Sequence, residues 1–157
     1  MTIRKIVVAL DFSDLSAELV DYAISLARCL GARIYLVHIT QVAQIAEMFG
    51  DIEAGVPAFA EPELMSQVKA AAQKQMEKYR SQVKAGQVEL EAEVLAGVHF
   101  TEIVKYAEDK EAELIIIGSH GRSGWQHFVL GSVAEKVARK SSLPVLIYKP
   151  KPPHEHK

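Results

Sequence analysis

A single doubly wound α/β domain is predicted by three features of the 157-residue sequence. Short runs rich in β-branched residues alternate with segments whose apolar residues recur every three or four positions. Four of those runs are predominantly apolar, as parallel strands buried on both faces should be, and one instead alternates glutamate with apolar residues. A glycine-rich stretch follows the fourth run, where a doubly wound sheet presents a ligand-binding loop.

The elements follow in order. "IVVAL" (Ile6 to Leu10) is the first strand. Leu15, Leu19, Ala23, Leu26 and Leu30 then mark a helix that Gly31 stops, with Cys29 expected as a small buried hydrophobe in its apolar pattern. "IYLVHI" (Ile34 to Ile39) is the second strand. Residues 41–62 are too long for a plain connection and are expected to form a partly helical flap near the site.

Leu64, Val68, Ala72, Met76, Tyr79 and Val83 form the stripe of a second helix. "VELEAEVL" (Val88 to Leu95) places Glu89, Glu91 and Glu93 on one side, the pattern of an exposed edge strand whose charges discourage pairing with other chains. Phe100, Ile103, Val104 and Ala107 mark a third helix, and Leu114 to Ile117 a fourth strand. Val133, Val137 and Ala138 begin a fourth helix after Ser132, and "VLIY" (Val145 to Tyr148) is the last strand. The expected domain spans 1–150, and the proline-rich 151–157 is expected to be a disordered tail.

Composition excludes several classes. With 18 basic and 20 acidic residues the formal charge is −2, which argues against a broad nucleic-acid surface. Apolar runs such as Ile6 to Leu10 fall far short of the roughly 20 residues that span a bilayer. Arg4, Lys5 and Asp11 interrupt any secretory apolar core, so the expectation is a soluble, cytoplasmic protein without a membrane partner. The single cysteine forbids an internal disulfide. His99, His120 and His127 lack the i, i+4 spacing or cysteine company of a zinc site, so no metal-binding cluster is expected.

The chemistry concentrates in "LIIIGSHGRSGWQHFVLGS", residues 114–132. Glycines at 118, 121, 124 and 131 permit backbone conformations and close approaches that other residues resist, so successive N–H groups can converge on an anion. The helix starting near Ser132 adds free amides and a partial positive charge, and His120 and Arg122 supply further donors to phosphate oxygens. Spacing alone leaves a second reading open. Ser132 and Glu135 fit a capping box, and the glycines then merely end a strand and turn a loop. Asp11 is open in the same way, as a ligand contact or as a cap acting with Ser13 on the following helix.

The same stretch resembles the nucleotide signature of the universal stress protein family, G-x2-G-x9-G-[ST], through Gly118, Gly121, Gly131 and Ser132. "KIVVALDFSDLS", "GARIYLVHIT", "ELIIIGSHGRSG" and "SSLPVLIYKP" resemble the corresponding segments of the family, so the likeness covers nearly the whole chain. It implies a Rossmann-like fold of the adenine nucleotide alpha hydrolase kind, with a five-stranded parallel sheet in the order 3-2-1-4-5. It also implies membership of the ATP-binding branch. Gly118, Gly121, Gly131 and Ser132 would hold ribose and phosphates, with backbone contacts from His120, Arg122 and Val133. Asp11 would bond the adenine, the ribose or a phosphate-bound Mg²⁺ or Mn²⁺, and Ala9, Leu10, Ile39 and Thr40 would wall the adenine. Gly97 follows the third strand as in relatives, while His99 stands where the family often has proline. A homodimer through the last strand, with Val145 and Ile147 near the twofold axis, is implied as well.

Competing chemistries lack their residues. A nicotinamide enzyme would carry glycines after the first strand, where "DFSDLSAE" has none. A phosphoacceptor domain would carry aspartate in "LAGVHF", and a P-loop ATPase a lysine before Ser132. The expectation is an ATP-binding regulatory or stress-response module with little or no hydrolysis, serving an unknown client protein. The alternative is a dimeric stress-related adaptor with a vestigial nucleotide site.

Overall fold

The computed structural model describes residues 2–40, 62–83, 87–120 and 130–149. Five strands, β1 (Lys5–Leu10), β2 (Arg33–Thr40), β3 (Leu90–Ala96), β4 (Leu114–Gly118) and β5 (Val145–Tyr148), alternate with helices α1 (Leu15–Leu30), α2 (Pro62–Arg80), α3 (His99–Asp109) and α4 (Ser132–Lys140). All four pairings are parallel, and the sheet order is β3-β2-β1-β4-β5. The expected order and both expected edge strands are therefore observed. Residues 41–61 and the tail, on which the flap and disordered-tail expectations fall, lie outside the described residues.

Because alternate strand residues face opposite ways, the central strands feed two cores. On one face Ile6, Val8, Leu10, Ile34, Leu36 and Ile116 pack against α1 and against Ala72 and Met76 of α2. On the other, Val7, Ala9, Tyr35, Val37, Ile39, Ile115 and Ile117 pack against Ile103, Tyr106 and Ala107 of α3 and Ala134 and Val137 of α4. The result is three layers, helices on both faces of one parallel sheet.

The helix faces differ from expectation in detail. α1 buries Ser16, Leu19, Val20, Ala23, Ile24 and Ala27, whereas Leu30 is 40% exposed. Small residues let the helix approach the sheet closely, so the buried arc is centred away from the leucine stripe. Cys29 lies outside that arc and is exposed, contrary to the expectation of burial. In α4 the buried residues are Ala134 and Val137, and Ala138 faces solvent. Gly31 ends α1 as expected, in the left-handed conformation at φ 64° with its N–H donating to Ala27 O.

The β3 edge carries its acidic row in the open. Glu89 and Glu91 pair with Arg33, whose guanidinium contacts both, and Lys110 Nζ lies 3.2 Å from Glu91 and 3.9 Å from Glu93. Exposed pairs of this kind contribute little to stability. Their value here is to keep an edge strand from recruiting another.

Candidate functional site

Strand order reverses between β1 and β4, and there the carboxyl ends of β1, β2 and β4 leave a cavity of about 320 Å³. That is at the small end of the range for small-molecule sites, roughly 300–1,000 Å³. Ala9, Leu10, Val37, Ile39 and Ile117 supply an apolar wall, and polar groups come from three turns.

The first turn leaves β1. Asp11 Oδ1 accepts hydrogen bonds from Ser13 N at 3.0 Å, Ser13 Oγ at 2.6 Å and Ser16 Oγ at 3.1 Å. The carboxylate thus organises the entry to α1, and no side chain caps that helix. Asp11 therefore does not cap α1; its side chain shapes the turn with Ser13 and lines the cavity. Beneath it, buried His38 on β2 donates from Nδ1 to Leu10 O at 2.8 Å.

The second turn leaves β4. Ser119 is buried, its N–H donates to Tyr148 O at 2.8 Å, and its Oγ shares a 2.5 Å hydrogen bond with His120 Nδ1. The third turn is the start of α4. Gly131 donates to Ser119 O at 2.7 Å, and a Cβ added at Gly131 would stand 3.1 Å from that same oxygen. A residue with a side chain would push the α4 terminus back from the β4 exit by a few tenths of an ångström.

Ser132 is the first residue of α4 rather than its cap, and no side-chain capping bond forms. Glu135 instead donates its N–H to Gly131 O at 2.9 Å and pairs through Oε1 with Arg139. The capping-box alternative is therefore not what the structure contains. The amides of Ser132, Val133 and Ala134 precede the first helical hydrogen bond, and all three residues line the cavity.

Of the residues singled out from sequence, Ala9, Leu10, Asp11, Ile39, Gly118, His120, Gly131, Ser132 and Val133 come together around this one cavity. Thr40 and Gly97 do not line it. They join each other instead, Gly97 N donating to Thr40 O at 3.1 Å, while Thr40 Oγ1 donates to Leu95 O. Gly97 has φ 151°, and a Cβ there would meet the Glu102 side chain at 2.6 Å, so glycine is needed for the turn into α3. Gly121 and Arg122 lie outside the described residues.

Sequence reasoning missed Ser13, Ser16, His38 and His99 as cavity residues. Ser13 and Ser16 carried a usable signal, hydroxyls two and five residues beyond Asp11, whereas His38 was hidden inside an apolar strand. Among the described residues no group of three or more His, Cys, Asp or Glu side chains is placed to hold a metal ion. None of their helices is long and apolar enough to cross a membrane.

A parallel sheet in this order, with a cavity at its switch point and a glycine-started helix beside it, defines an α/β protein of the Rossmann-like type. The sequence profile of the universal stress protein family matches residues 2–149. Universal stress protein MJ0531 of Methanocaldococcus jannaschii is 35% identical over 147 residues, 93% of this chain and 82% of the relative. The solved structure of MJ0577, from the same organism, is 28% identical, with a TM-score of 0.80 over 97% of this chain and 99% of that one. The universal stress protein from Archaeoglobus fulgidus in complex with dAMP is 26% identical, with a TM-score of 0.59 over 94% of this chain and 98% of that one. The chain belongs to the universal stress protein family.

Proposed function

We propose that this protein is an ATP-binding regulatory module, acting through nucleotide-dependent conformation or partner contacts and turning ATP over slowly if at all. The observation that carries the reading is the start of α4. Gly131 brings three helix-terminal amides to the rim of an apolar cavity, an arrangement suited to phosphate on one side and an adenine ring on the other. The dAMP complex of the Archaeoglobus fulgidus protein supports an adenine nucleotide as the ligand class.

In this reading Ala9, Leu10 and Ile39 contact the base, and Gly118, His120, Gly131, Ser132 and Val133 contact ribose and phosphates, with Gly121 and Arg122 completing the glycine loop. Asp11 is the sole carboxylate among the described residues that line the cavity. One carboxylate does not make a protein-held metal site, so Mg²⁺ or Mn²⁺ fits as a cation carried on the triphosphate, with Asp11 its one protein ligand. A cation there supplies charge neutralisation to the phosphates. Two copies pair through β5 in this reading, and the client protein is a separate partner.

Calorimetry with ATP, with and without Mg²⁺, tests the proposal. Saturable one-site binding that Gly131→Val abolishes is the expected result. No heat from the parent, together with no nucleotide released on denaturing freshly purified protein, would leave the adaptor with a vestigial site as the better reading.

A further inference from the structure

We propose that Phe12 is a positioning residue that keeps Asp11 and Ser13 at the cavity wall, its backbone held in the left-handed region by an aromatic stack reaching from His38 to Tyr79. The consequence for ligand affinity rests on the nucleotide reading above; the loop geometry does not. Phe12 has φ 60°, a conformation that crowds the Cβ of any residue but glycine and is rare for a bulky one. Such a backbone persists only where its surroundings over-determine it.

Partly buried against the core on the α1 face of the sheet, Phe12 is flanked by two rings. The Phe12 ring stacks on His38 at 3.9 Å between centroids with 22° between planes, and on Tyr79 at 5.7 Å with 5° between planes. His38 is itself fixed by its hydrogen bond to Leu10 O, and Tyr79 belongs to the last turn of α2. Phe12 does not line the cavity, yet the residues on either side of it do. The left-handed step at Phe12 is what turns the chain sharply enough for Ser13 N and Oγ to reach back to Asp11 Oδ1. The stack therefore ties the carboxylate turn to β2 and to α2, and a shift of α2 reaches the cavity through Tyr79 and Phe12.

A ring that merely fills space and a ring that holds a backbone respond differently to substitution. Phe12→Ala removes the ring and keeps the unfavourable conformation, while Phe12→Gly removes both. The prediction is that Phe12→Ala and Tyr79→Ala each weaken ATP binding about tenfold, whereas Phe12→Gly stays within about threefold of the parent. Adding Tyr79→Ala to Phe12→Gly should cost nothing further, because glycine needs no holding. Equal losses in the alanine and glycine variants, or no loss in either alanine variant, would overturn the proposal.

The Ser13 amide gives a second readout that needs no nucleotide. By hydrogen exchange it should be protected in the parent and in Phe12→Gly and unprotected in Phe12→Ala and Tyr79→Ala. If the parent binds no ATP while this pattern holds, the nucleotide reading fails and the positioning role stands. If Ser13 exchanges alike in all four proteins, the positioning role is wrong whatever ATP does.

Discussion

The N–H of Gly131 donates to the carbonyl of Ser119 at 2.7 Å, fastening the first turn of α4 to the exit of β4. The contact is tight for a side chain, since the nearest atom to an added Cβ is the Ser119 carbonyl oxygen, at 3.1 Å, and that backbone would have to give by a few tenths of an ångström. Gly131→Val should therefore push the α4 terminus out of position. The expected outcome is loss of ATP binding by at least about tenfold, with stability reduced by about 1–3 kcal/mol and the folded circular dichroism spectrum retained. Calorimetry and denaturant melts on the same preparation check both halves. Parent-like affinity would show that phosphate is not held at this terminus.

A second prediction concerns assembly. β5 is an edge strand whose four side chains are all only half-buried, Val145 and Ile147 toward α4 and Leu146 and Tyr148 toward α1. An apolar edge of this kind needs cover, which in the proposed reading a second copy pairing through β5 would supply. Val145→Lys combined with Ile147→Lys should sediment as a monomer while the parent sediments as a dimer. Dimers that survive both lysines in a folded variant would place the interface elsewhere.

Tyr106 offers a test of the core. It is 5% exposed, and its Oη makes no hydrogen bond of good geometry among the described residues, although the Glu93 carboxylate lies close enough to act on it. Burial, and after it the neighbouring Glu93 carboxylate, push its phenol far above the ordinary value of 10.0. A raised folded value means that its contribution to stability is fully present below pH 10 and is lost as pH rises from there through the folded value. Tyr106→Phe removes both the hydroxyl and its ionisation. It should gain about 1 kcal/mol at pH 7 and flatten the alkaline decline in denaturant-measured stability. A loss of similar size would reveal a hydrogen-bond partner for the hydroxyl.

The sheet was legible because each central strand is a short apolar run between turn signals, and the glutamate row marked β3 as an edge, whereas the edge position of β5 followed from the strand order implied by the family resemblance. The inner faces of the helices were less so. Ser16 and Ala27 are almost fully buried in α1 while Leu30 and Cys29 are exposed, because close helix–sheet contact selects small residues that hydrophobicity ranks low. Local spacing pointed to the glycine and acidic members of the site, but only the family resemblance gave them a ligand. His38 and His99 could not be read from spacing, since their approach to the cavity depends on how β2 and α3 are set against β1. Phe12 is the extreme case, its left-handed backbone being a product of tertiary stacking rather than of any local sequence preference.

The last prediction concerns turnover. Fast phosphoryl transfer needs a group that orients the attacking water and charge aimed at the γ-phosphate, as in kinases working at roughly 1–100 per second. The one carboxylate lining the cavity, among the described residues, is Asp11, and its Oδ1 already accepts three hydrogen bonds from Ser13 and Ser16. That oxygen is committed to holding the turn into α1 rather than to orienting a water. A cation beside it orders phosphates without by itself activating water. The expected rate is below about one turnover per minute per site, a barrier of at least roughly 20 kcal/mol. Phosphate release at saturating Mg-ATP, with Gly131→Val as the control for contaminating ATPase, measures it. A parent rate near one per second that vanishes in the variant would make ATP a substrate here and displace the regulatory reading.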